Sequence, residues 1–123
     1  MQTKRIWMAA LALSVACGTM SAQADEQQES HGKEVYSMYC VLCHGPKADG
    51  KGKGAASLGD VRPSNLRISK LNDAQRERIV KFGGESVGRS AKMPPWGQAL
   101  SADEVRDLMA YLKTLHGSAD DGT

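Results

Sequence analysis

Cys40-Val41-Leu42-Cys43-His44 sets two thiols three positions apart with an imidazole immediately behind them, the spacing of a c-type haem attachment site. The chemistry explains the spacing. Two cysteine sulfurs can reach the two vinyl groups of one porphyrin while the adjacent histidine turns under the ring to ligate iron. Other chemistry uses similar residues. A thioredoxin-like redox pair wants a βαβ context, and no segment of this chain alternates as a strand does. A structural zinc site usually needs four ligands from separated pairs, and the third cysteine, Cys17, lies in the leader described next. A disulfide between Cys40 and Cys43 stays open at this point.

At the N-terminus Lys4 and Arg5 precede an apolar run from Ile6 to Ala16, and Ala22-Gln23-Ala24 offers small residues for cleavage. This pattern reads as a secretory signal peptide over residues 1–24, so the mature chain is expected in the periplasm. The run is shorter than the roughly 20 residues of a membrane span, and no second such run follows. Ser14-Val15-Ala16-Cys17 also resembles a lipoprotein box, which gives a lesser alternative in which the chain is anchored through an acylated Cys17.

Without residues 1–24 the chain is of single-domain size and short of material for a core. It keeps one Phe, one Trp and three Tyr, so a flat apolar macrocycle is expected to be the largest object inside, and an apoprotein is expected to fold poorly. Net charge, +2 in the full chain, vanishes once Lys4 and Arg5 are removed. From Tyr36 to Leu100 basic residues outnumber acidic ones, with Lys47, Lys51, Lys53, Arg62, Arg67, Lys70, Arg89 and Lys92 near the loops expected around the cofactor. Such a patch can steer an acidic partner, although a charge run is more often only a solvated face. Nothing points to nucleic acid.

The remaining pattern is all-α: helix, glycine-rich loop, helix, methionine loop, helix. Residues 25–29 read as a linker. The first helix is expected from about Gly32 to Cys40, with Ser30 as cap and Val35, Tyr36 and Tyr39 on one face. Residues 45–66 show no apolar period and read as a loop wrapped on a ring. Asn72 or Asp73 opens a second helix that stops at Gly83-Gly84. Ser101 and Glu104 form a capping box for a third, with Val105, Leu108, Met109, Leu112 and Leu115 on one stripe and Gly117 ending it. Residues 118–123 read as a disordered tail.

A carrier that only gains and loses an electron is best served by two filled axial positions. Met93 is the candidate for the second, because Gly88 to Gly97 is too rich in Gly and Pro to be helical and Pro94-Pro95 stiffen the chain behind it. A soft thioether favours reduced iron. Met38 is too near Cys40 to reach the opposite side, and Met109 belongs to a packing stripe. Trp96 is placed to pack on the ring edge or to donate its N–H to a propionate. His31 and His116 read as solvated surface.

Cys40 to His44, Lys92-Met93-Pro94-Pro95-Trp96-Gly97 and Leu108-Met109-Ala110-Tyr111-Leu112, in that order, resemble a bacterial class I cytochrome c over residues 30 to 116, with the domain expected over residues 30–117. The resemblance implies a small cytochrome c fold: three main helices and loops around one covalently bound haem c. It implies that Gly32 and Tyr36 on the first helix meet Tyr111 on the last, and that a proline carbonyl, here that of Pro63, accepts the proton of His44's other nitrogen. It implies a non-enzymatic single-electron carrier with transient redox donor and acceptor proteins, and no sustained heptad or long apolar surface stripe in the sequence argues for more than a monomer. Two alternatives accompany it: an electron-input subunit of a larger dehydrogenase or oxidase complex, and a ligand-binding sensor if the Met93 bond is labile.

Overall fold

The computed structural model describes residues 17–116, and among them there is helix, turn and loop but no strand. Four α-helices follow one another: α1 (Cys17–Tyr39), α2 (Val41–His44), α3 (Asp73–Phe82) and α4 (Ala102–Leu115). Short 3-10 helices lie at Lys53–Leu58 and Gly84–Val87. The signal-peptide run through Ala16, the side chain of Cys17, Gly117 and the tail 118–123 lie outside the described residues.

The fold is organised on the crossing of α1 and α4. A Cβ placed on Gly32 would overlap the Asp107 carbonyl and come within 2.9 Å of Tyr111 Cβ, so only glycine lets the two backbones approach this closely. One turn on, the rings of Tyr36 and Tyr111 pack at 5.5 Å, tilted 59°. Val35, Tyr36 and Leu108 are the largest fully buried side chains, and Val105, Met109, Leu112, Leu100, Val80 and Ala48 complete the core around them. The stripe expected on the last helix is therefore its buried face.

Helix ends follow local chemistry. Asn72 accepts from Gln75 N–H while Gln75 answers to Asn72 N–H, and Ser101 and Glu104 do the same, so both α3 and α4 begin on a capping box. Gly83, at φ +81°, closes α3 by donating to Ile79.

Three expectations need correction. First, α1 begins far before Gly32, so Ser30 lies inside the helix rather than capping it, and the expected linker 25–29 is helical. That stretch is rich in Glu and Gln, good helix formers, but carries no apolar stripe; its residues are almost all exposed. Second, the loop 45–66 contains the 3-10 helix Lys53–Leu58. Third, His31 is not merely solvated: its Nδ1 lies 2.7 Å from Asp107 Oδ2.

Candidate functional site

The Cys-x-x-Cys-His segment is built as one tight turn. Cys40 N–H donates to Tyr36 and so prolongs α1, His44 N–H donates to Cys40 (2.9 Å), and Gly45, at φ +82°, donates to Val41 and turns the chain away. Tyr36 Oη then donates to the Gly45 carbonyl at 2.6 Å, fastening the turn to the core. Behind the turn, Gly50 N–H bonds the His44 carbonyl and Gly52 N–H the Cys43 carbonyl. Any side chain on Gly52 would collide with the Leu42 carbonyl. Ala48, buried between them, takes a left-handed φ of 55°, at a cost of roughly 1–2 kcal/mol. Its carbonyl accepts from Leu66 N–H (2.8 Å), which carries the chain back across the site.

That return sets His44. Its Nδ1 lies 3.0 Å from the Ser64 carbonyl. A carbonyl can only accept, so Nδ1 bears the proton and Nε2 presents a lone pair. The acceptor is Ser64, not Pro63: the Pro63 carbonyl is instead packed against Gly50, where a Cβ would not fit. Burial lowers the His44 pKa, only partly opposed by the bond to Ser64, so the ring stays neutral as a metal donor must.

The facing wall hangs on the end of α3. The last turn of that helix gives its Val80 carbonyl to Trp96 N–H (2.8 Å) and its Lys81 carbonyl to Gly97 N–H (3.1 Å). Gly84 N–H donates to the Met93 carbonyl at 2.9 Å, and a Cβ on Gly84 would overlap the Ser90 carbonyl. Helix C-terminal carbonyls, normally left to water, thus position the methionine segment. Trp96 packs edge-on to Tyr39 with centroids 5.4 Å apart.

Between these walls lies a cavity of about 510 Å³, and Cys40, Cys43, His44, Pro63, Met93 and Trp96 all line it. Its other walls are mainly aliphatic, from Leu58, Val61, Leu66, Ile79, Val80, Leu108 and Leu112. The size is that of a cofactor site. Arg62, Arg76, Arg89 and Lys92 also line it, with no Asp or Glu among the lining residues. An apolar slot with thiols and a neutral imidazole on one wall, a thioether in its lining and cationic side chains suits a flat macrocycle bearing carboxylates. Burial, reinforced by Cys43, pushes the Cys40 thiol up to about 12, the reverse of an activated redox thiol. Among the described residues no three His, Cys, Asp or Glu side chains cluster as a zinc site would need.

Residues 27–112 match the family model described as cytochrome C oxidase, cbb3-type, subunit III. The chain belongs to that family of c-type cytochromes. Its cofactor is accordingly a covalently bound haem c, which the cavity fits. The cytochrome c-554(547) of Halothiobacillus neapolitanus is 32% identical over 87 residues, covering 68% of this chain and 92% of that protein. The cbb3-type cytochrome c oxidase subunit FixP of Azorhizobium caulinodans is 30% identical over 105 residues, 79% of this chain and 30% of the subunit. The corresponding CcoP subunit of an Azospirillum species is 29% identical over 94 residues, 76% of this cytochrome and 31% of the subunit. The cytochrome thus spans about a third of the length of the oxidase subunits it matches. No solved structure matches it significantly. No helix among the described residues is long and apolar enough to cross a membrane.

Sequence reasoning missed the Ser64 carbonyl, because a main-chain acceptor leaves no trace in residue identity. It also missed Arg76, whose place on the cavity wall follows only from how α3 is rotated.

Proposed function

We propose that this cytochrome carries single electrons between a donor and an acceptor redox protein in the periplasm, with no bound substrate. The observation that carries the proposal is the one cavity lined by the Cys-x-x-Cys-His turn and by Met93. When bound, the haem supplies a one-electron iron couple. The chain's residues do the rest. Cys40 and Cys43 would tether the ring, and His44, oriented by Ser64, would offer Nε2 to the metal. Met93, held through its carbonyl on Gly84, would supply the iron with a second protein donor, a thioether. With both donors in place the iron would have no position open for substrate, so this reading is of a carrier and not an enzyme. A thioether raises the potential relative to harder ligands. Aliphatic walls keep water from the metal.

A second reading, an electron-input module of a larger oxidase complex, draws support from the FixP and CcoP relatives. The two differ in whether the purified protein travels alone.

The test is the weak far-red absorbance band of the oxidised holoprotein, diagnostic of a Met–iron bond in class I cytochromes. Met93→Ala should abolish the band, lower the potential and keep the Soret peak. A far-red band that persists in Met93→Ala refutes the assignment of Met93. Wild-type protein without the band at neutral pH favours the sensor alternative.

A further inference from the structure

Leu66, Ser69 and Leu71 line the cavity, while Ile68 and Lys70 between them are exposed, Ile68 by 73%. Residues 66–71 therefore form a strap with one side on the cofactor site and the other in water, and none of them is fully buried. The strap is fastened at both ends. Leu66 N–H donates to the Ala48 carbonyl at 2.8 Å, and Asn72, immediately after Leu71, caps α3. Within it, Arg67 N–H turns to Asn65 Oδ1 and Leu71 N–H to Ser69 Oγ, bonds that shape the strap without tying it to a helix. A segment so exposed and so little buried belongs to the low-stability end of a fold, where local opening occurs without global unfolding.

Its middle is held at the Ser69 carbonyl. His116 Nε2, at the end of α4, lies 2.6 Å from that oxygen, and Arg76 Nη2 donates to it from α3 at 3.1 Å. A carbonyl only accepts, so Nε2 of His116 bears a proton. His116 is exposed, as expected from the sequence, yet its ring is spent on the strap. Lys113, one turn earlier on α4, closes the same seam through Asp73 at 2.9 Å, but both side chains are more than half exposed and such a pair contributes little.

We infer that residues 66–71 are a hinged strap over the haem slot, that His116 clasps it shut, and that the clasp sets how far water reaches the cofactor. The inference rests on the haem reading above. The fastened ends at Leu66 and Asn72 are the hinges; release at Ser69 lets Leu66 and Leu71 swing off the aliphatic lining. Solvent access to such a site tunes its potential, and water beside the metal favours the more highly charged ferric state, so a looser strap lowers the potential.

Limited trypsin digestion of the haem-loaded protein reads the opening, because a protease needs a length of free chain around its target bond. Lys70 lies in the strap, and exposed Lys92, in the methionine segment, is the internal reference. In His116→Ala the rate of cutting after Lys70 relative to Lys92 should rise about two- to tenfold, the factor carried by one hydrogen bond, and potentiometry should give a lower potential than wild type. Lys113→Ala removes the neighbouring ion pair and keeps the clasp, so its cutting ratio should match wild type. An unchanged ratio in His116→Ala overturns the inference, and so does an equal rise in Lys113→Ala, which would assign the effect to the seam as a whole. A raised ratio with an unchanged potential also overturns it, because the strap would then not keep water from the cofactor. Wild type with no Soret peak refutes the haem reading itself, which none of these outcomes does.

Discussion

At the scale of the residue, Tyr36 ties the attachment turn to the core. Its phenol is buried, and burial, with lesser help from the neighbouring Cys40, keeps the proton on Oη at any physiological pH, so the 2.6 Å bond to the Gly45 carbonyl is always available. Tyr36→Phe keeps the ring against Tyr111 and removes only this donor. Ala48 N–H still bonds the same carbonyl at 3.0 Å, so no acceptor is orphaned. The loss should therefore be the net worth of one hydrogen bond, about 1 kcal/mol, rather than the larger cost of an unpaired buried group. Urea unfolding of the holoprotein measures it; a loss above roughly 3 kcal/mol would mean that the turn itself has collapsed.

At the scale of the element, α3 is a bracket: its capped start fixes the helix and its last carbonyls hold Trp96 and Gly97. Gly84 is where that bracket meets the methionine segment. Gly84→Ala puts a methyl into the Ser90 carbonyl and within 3.3 Å of Met93 Cβ. The segment must move, so the far-red band should weaken while the Soret peak persists; unchanged spectra would show that the segment does not depend on this contact. The same elements show what is readable in a sequence. The cap at Asn72 or Asp73 and the capping box at Ser101 are local and were legible, as were the cysteines, His44 and the apolar stripe of α4, whereas the answering Gln75 was not singled out. The early start of α1 was not, since Gln23 to Ser30 favour helix by propensity alone, and periodicity detects only a helix that packs. The Ser64 acceptor was not either, because loop register decides which carbonyl faces His44 and the side chains do not encode it.

At the scale of the whole molecule, a cavity of about 510 Å³ adjoins a core of few residues, and Val80, Leu108 and Leu112 belong to both. Cys40→Ala with Cys43→Ala, exported without haem, should accordingly lose its near-UV dichroism; a native-like spectrum would show that the protein core suffices alone. The helix crossing beside this cavity carries its own pH dependence. His31 on α1 is raised above its ordinary 6.5, chiefly by its hydrogen bond to Asp107; burial opposes this, and the charges of Asp107, Glu34 and Glu104 each add a lesser push upward. Asp107 on α4 is pushed up by burial, but its bonds from His31 and Arg106 outweigh this and leave it below its ordinary 3.8. A raised histidine contributes stability that is complete below pH 6.5 and lost as pH rises through the folded value; a depressed carboxylate contributes stability that is lost only in acid. The crossing should thus be firmest between about pH 4 and 6.5, where both charges stand. The unfolding temperature of the holoprotein should fall as pH rises above about 6.5, and His31→Asn should flatten that fall while leaving absorbance unchanged. An equal fall in wild type and His31→Asn would assign the pH dependence to groups other than this pair.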